Sequence, residues 1–178
     1  METQKFEVAG AQSNINWTGK KVTGAHNGTI DVKSGVLTLN DDKLTGGNFI
    51  IDTTSIKILD ITDPDTNAQF AGHLFSDDFF GIENHTEATF TITDIDSVEA
   101  GKYLITGDLT IKNITHPVSF AADVLIADGV ITASGKIIVD RTKYNMKFRS
   151  GNFFSNLGDT LIYNEFELDV TLTALATL

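Results

Sequence analysis

The stretch IYNEFELDVTLTA, residues 162–174, decides the fold. Ile162, Phe166, Leu168, Val170 and Leu172 fall on one face, and Tyr163, Glu165, Glu167, Asp169, Thr171 and Thr173 on the other. A period of two marks a strand with one packed side and one wetted side, the habit of an antiparallel sheet. The same alternation predicts strands at Asn14–Lys20, Ala25–Val32, Val36–Leu39, Asn48–Ile58, Ala88–Asp96, Lys102–Lys112, Val118–Ile126, Val130–Asp140 and Thr160–Thr173. The links between them read as turns: Ser34–Gly35, Gly46–Gly47, Glu99–Gly101 and Asp128–Gly129. A meander of this many long strands closes into a barrel, because closure removes the edges.

One stretch breaks the alternation. DPDTNAQFAGHLFSDDFF, residues 63–80, predicts a short helix capped by Asp65 or Thr66, with Phe70, Leu74 and Phe75 on its apolar face. Ser76 could cap a further turn carrying Phe79 and Phe80. No repeat or linker divides the chain, so residues 1–178 are expected to form a single domain.

Composition narrows the function. The net charge of −11 argues against a nucleic-acid partner and against electrostatic docking on an anionic membrane. No run is long and apolar enough for stable membrane insertion. The absence of cysteine excludes disulfides, thiol nucleophiles and thiolate metal sites. The first residues carry no apolar leader, so the chain would be cytoplasmic if complete as written, and periplasmic if a signal peptide has been removed.

Signals for chemistry are weak. His26, His73, His85 and His116 show no ligand spacing, and Asp63, Asp65 and Asn67 open a calcium-like loop that fails at Ala68 and Leu74. Neither a metal nor a cofactor is expected, nor an enzyme. Gly19, Gly24, Gly28, Gly107 and Gly135 lie in or beside strands, which reads as tight bends or as room near a ligand. Periodicity thus reaches an antiparallel barrel, filled or hollow. Its candidate pore residues are Trp17, Phe49, Ile51, Phe90, Ile92, Leu109, Ile111, Phe120, Phe166 and Leu168; Leu74 and Phe79 join them only through the family resemblance that follows.

Five segments resemble the YceI-like family in order: INWTGKKVTGAHNGTI (15–30), GNFIIDTTSI (47–56), HLFSDDFFGIENHTEATF (73–90), YLITGDLTIKNITHPVSF (103–120) and DRTKYNMKF (140–148). The resemblance implies an all-β fold, an extended antiparallel eight-stranded lipocalin-like β-barrel with a short helical insertion. It also implies binding of a polyisoprenoid, quinone or fatty-acid derivative in the pore, and relatives that are bacterial and periplasmic. Two motif corners depart from the family pattern. His85–Thr86 stand where it has tyrosine–proline, and Tyr144–Asn145 where it has phenylalanine–glycine. Asn tolerates the left-handed backbone that Gly allows. The head group of an amphiphile would meet Arg141, Lys143 or His26. Arg141 and Arg149 are the only arginines, and Lys143 and Lys147 lie beside them. Arg141 has a second reading, pairing with Asp140 to fix the turn. A filled barrel serving as an interaction module remains an alternative, as does a lipid head-group enzyme using His26, His73 or Asp140. A homodimer is compatible with all of these.

Overall fold

The structure is a computed structural model and describes residues 3–22, 24–147 and 162–176. Among these residues nine strands form one antiparallel sheet: β1 Thr3–Val8, β2 Asn14–Lys21, β3 Gly24–Asn40, β4 Lys43–Ile58, β5 Glu87–Glu99, β6 Lys102–Ile111, β7 Ile114–Ala127, β8 Val130–Asp140 and β9 Ile162–Ala176. The hydrogen-bonded order β3-β2-β9-β8-β7-β6-β5-β4 closes on itself through β4–β3 pairing. That is an eight-stave barrel. The ninth strand adds no stave: β1 lies end to end with β2, pairing with β3 at 36–40 and with β9 at 174–176. A 3-10 turn, Gly10–Gln12, joins the two halves of that stave.

Several boundaries differ from the sequence expectation. Ser34–Gly35 and Gly46–Gly47 are not turns. Both lie inside strands, beside register shifts at Val32/Ser34 and Thr38/Leu39. A bulge slips the alternation by one residue, which in sequence looks like a break. The actual β3–β4 turn is Asp41–Asp42, both at positive φ (53° and 62°). The turns at Glu99–Gly101 and Asp128–Gly129 stand as expected. The sequence reading missed β1, whose TQKFEV buries only Phe6.

β7 starts at Ile114, earlier than expected, and carries Pro117 within it. Among the described residues, 114–121 pair only with β6, while the β8 pairing covers 122–127 against 130–135. Counting from the two-residue turn at Lys112–Asn113, Pro117 falls at a non-bonded position toward β6. Its missing N–H therefore faces the side where no ladder forms, the one place a strand proline costs little. A seam thus separates the first half of β7 from residues 136–140 of β8.

The single α-helix among the described residues, α1, spans Pro64–Phe75. Its cap is Asp63, not Asp65 or Thr66: the carboxylate accepts from Thr66 N–H (2.9 Å) and Thr66 O–H (2.6 Å), with Pro64 at the first helical position. Asn67 donates to the carbonyls of Ile58 and Ile61 (both 3.0 Å), which ties the helix to the end of β4. Ser76 ends this helix, its hydroxyl donating to His73 O at 2.6 Å, and its carbonyl opens the expected further turn carrying Phe79 and Phe80, accepting from Phe79 N–H at 3.0 Å and Gly81 N–H at 2.9 Å. Among the described residues, no helix is long and apolar enough to cross a membrane. The barrel is packed solid at the end away from α1, where Phe6, Leu37, Leu39, Leu44, Ile131 and Ala174 are buried.

Candidate functional site

At the α1 end the barrel is hollow. A cavity of about 350 Å³ lies between the strands and a lid made of α1 and the turn after it. Trp17, Ile51, Leu109, Ile111, Phe166 and Leu168 supply wall, and Phe70, Leu74, Phe79 and Phe80 supply lid. Ring contacts join the two: Phe80 meets Phe166 edge-on at 6.5 Å, and Phe70 lies 4.9 Å from His26. Trp17 is placed by its strand neighbour. Its indole N–H reaches Thr29 O at 3.3 Å, and its ring covers Gly28, where a Cβ would come within 2.7 Å of it.

Below this chamber sits a second space of about 70 Å³, bordered by Phe49, Phe90, Ile92 and Phe120. Ile15, Ile51, Leu109 and Leu168 border both spaces and form a neck between them. The twelve apolar residues singled out in the sequence therefore all face one of the two chambers. Ile15, Ile30, Ile56, Phe80 and Met146 join them. The first three share the strand alternation and could have been found by it. Met146 follows the left-handed Asn145 (φ 62°, ψ 32°), the conformation expected of Asn at the family's glycine position. No sequence signal places Met146 in the wall.

The polar groups gather at the mouth. Lys20, Lys21, His26, His73, Arg141 and Glu165 border the upper chamber, so an acidic chain presents mostly basic groups at its opening. Lys143 is exposed and does not border the cavity, contrary to its candidacy as a head-group partner. Arg149 lies outside the described residues. His26 is tied through Nδ1 to Asp60 (2.8 Å) and His73 through Nε2 to Asp78 (3.0 Å). Burial acts to raise the Asp60 carboxyl, but the His26 bond and the Asn27 N–H outweigh it and hold it below its ordinary value.

Arg141 is 3% exposed. It does not pair with Asp140 in the way the turn-fixing alternative supposed. Asp140 caps the 3-10 helix Arg141–Tyr144 instead, accepting from Thr142 N–H at 3.0 Å and Thr142 O–H at 2.5 Å. The guanidinium donates to three backbone carbonyls: Nε to Tyr163 (3.0 Å), Nη2 to Ile162 (3.0 Å) and Nη1 to Met146 (2.6 Å). It also lies 5.8 Å from the centre of the Phe79 ring. Burial pulls it down to about 10, with Asp140 acting the other way. No carboxylate lies within ion-pair distance of it among the described residues. Lys112, 9% exposed, plays a similar part on the lid side, donating to Asp77 O (2.7 Å) and Asn145 O (3.2 Å). Its ammonium is pulled down by burial, against Asp77 and Asp78. Nothing in the sequence marks Lys112, a hairpin-turn residue, for that position. Among the described residues no three His, Asp or Glu side chains converge to hold a metal.

A closed antiparallel barrel, solid at one end and apolar and hollow at the other, is a container fold. The chain belongs to the YceI-like family, whose domain matches residues 6–174. A UPF0312 protein of Photorhabdus laumondii is 37% identical over 95 residues, 53% of this chain and 48% of the relative. Protein YceI of Escherichia coli O157:H7 is 34% identical over 112 residues, 62% of this chain and 53% of the relative. The match thus spans about half the length of these curated relatives. Among solved structures, Burkholderia cenocepacia BcnA superposes with a TM-score of 0.73 at 20% identity, covering 93% of this chain and 98% of that one. A polyisoprenoid binding domain from Saccharophagus degradans, implicated in plant cell wall breakdown, gives 0.68 at 14% identity, with 97% and 98% covered. These likenesses bear out the lipocalin-like barrel expected from the sequence.

Proposed function

We propose that this protein binds an amphiphile with one long apolar tail, a polyisoprenoid, quinone or fatty-acid derivative, and carries or sequesters it rather than transforming it. The whole chain, 1–178, serves this as one domain. The observation that carries the reading is the upper chamber: about 350 Å³ of space with an apolar wall, beneath a lid. Apolar burial supplies the affinity, at about 0.8 kcal/mol per methylene taken from water. The polyisoprenoid binding of the Saccharophagus domain supports the ligand class. The head group sits at the mouth beside Arg141. That guanidinium has used three of its five N–H groups on carbonyls and has no carboxylate partner among the described residues. A phosphate or carboxylate there would satisfy a buried charge.

Trp17, the only tryptophan, lines the chamber and reports occupancy. Titration of its fluorescence with farnesol and with farnesyl diphosphate is expected to saturate for both. In Arg141→Met, the diphosphate should weaken while the alcohol keeps its affinity. No saturable response to any amphiphile would refute the carrier reading and leave a filled barrel. Equal weakening of both ligands would remove Arg141 from the head-group site; a lower melting temperature is expected in either case, because the side chain's three carbonyl bonds are lost.

A further inference from the structure

We propose that Phe90, flanked by Phe49 and Phe120, is a floor that sets how long a tail the pore accepts. The inference rests on the tail-binding reading above and goes beyond it to specificity. The three rings lie below the neck, on three different strands. Phe49 and Phe90 stack at 6.1 Å with 12° between their planes, and Phe90 meets Phe120 at 5.7 Å and 52°.

Each ring lies over a glycine on the next strand. A Cβ at Gly35 would come within 2.8 Å of Phe49 Cδ1, at Gly107 within 2.3 Å of Phe90 Cζ, and at Gly135 within 3.1 Å of Phe120 Cδ2. Three inward positions therefore give up a side chain where an aromatic ring crosses. The sequence suggested bends or ligand room for Gly107 and Gly135; what occupies the space is a phenyl ring from inside the protein. Rings laid across bare backbone also shield it, the usual remedy for glycine in a sheet.

The neck divides unequal volumes. Above it lies a chamber of about 350 Å³; below it, bordered by the three rings, is left only a remnant of about 70 Å³. A dry cavity of about 150 Å³ holds one benzene, so the upper chamber takes roughly 14 carbons. That is close to three isoprene units. A fourth unit has to pass the neck into a space too small for it, or stay in water.

The test is a length series, with geraniol, farnesol, geranylgeraniol and solanesol read by Trp17 fluorescence. The wild-type chain should gain affinity up to farnesol and none beyond. Phe90→Ala opens the floor, and each further methylene then buried adds roughly fourfold. Geranylgeraniol should therefore bind Phe90→Ala at least about tenfold tighter than farnesol does. Phe90→Leu, the milder change, should show the same trend with a smaller step. Ala88→Leu intrudes on the upper chamber only and should move the limit down to geraniol. If Phe90→Ala does not fold, the Phe90→Leu and Ala88→Leu profiles decide. A wild-type chain that binds no alcohol refutes the binding reading and the floor with it. If it binds them, but the profile is unchanged in the variants or has no length limit in the wild type, the binding reading stands and the floor is overturned.

Discussion

Arg141→Lys keeps the positive charge and discards the fork, and the structure says what that costs. The guanidinium reaches three carbonyls in different directions, of Met146, Ile162 and Tyr163. Those carbonyls belong to Met146, just after β8 and its 3-10 turn, and to Ile162 and Tyr163 at the start of β9, so one side chain ties the two segments together. A lysine ammonium has three donors on one atom and can serve one of these carbonyls well. Two charge-assisted bonds are then lost, each worth about 1.5–3 kcal/mol. Part of this is recovered as water reaches the freed groups, leaving an expected loss of about 3 kcal/mol. With a urea slope of about 2 kcal/mol/M, the unfolding midpoint should fall by about 1.5 M without a change in slope. A fall smaller than about 0.5 M at constant slope would show that the three bonds do not hold the two chain ends together.

Tyr144 is pushed up to about 12, first by burial and then by Asp108 and Asp140. A raised acid binds protons in the folded state that the unfolded chain releases, so its stabilising share is present below pH 10 and is lost as pH rises toward 12. Tyr144→Phe should remove that share of the alkaline loss, of order 2–3 kcal/mol, in urea melts compared across this window; parallel curves would refute it. Asp63 is held below its ordinary value by the Thr66 side chain and then the Thr66 N–H, against a smaller effect of burial. Its contribution is therefore present above the unfolded carboxyl value and disappears as pH falls through the lowered one. Asp63→Ala should lower the melting temperature at neutral pH, with the gap to wild type closing in acid. A gap that persists in acid would mean that the charge is not what caps α1.

The barrel was legible because its strands are long and one-sided. In β9 the alternation of Phe166, Leu168, Val170 and Leu172 survives every local propensity. It failed where the register slips. Ser34–Gly35 and Gly46–Gly47 carry turn residues, yet the paired strand continues past them, because a bulge absorbs the extra residue. The chamber wall was equally legible, since inward positions follow from the same period. Whether the wall enclosed space was not, because that depends on which ring falls over which glycine. Phe90 sits opposite Leu109, but its ring crosses diagonally to Gly107. The neighbours of Arg141 were hidden for another reason: backbone carbonyls have no sequence signature, so the fork looked free to pair with Asp140.

The seam between β7 and β8 changes what kind of vessel this is. In a barrel laced all the way round, widening the bore stretches hydrogen bonds in every ladder, so the wall resists like a hoop. Here, among the described residues, 114–121 and 136–140 share no ladder. What crosses the slit is Tyr144. Its ring stands edge-on to His116 at 5.4 Å, and its hydroxyl donates to His116 O at a long 3.5 Å. A slit cuff dilates by bending its two lips, at the cost of side-chain contacts and without breaking a backbone bond. On this arc the wall is therefore held by side-chain contacts, whereas at the far end β1 is laced to both β3 and β9.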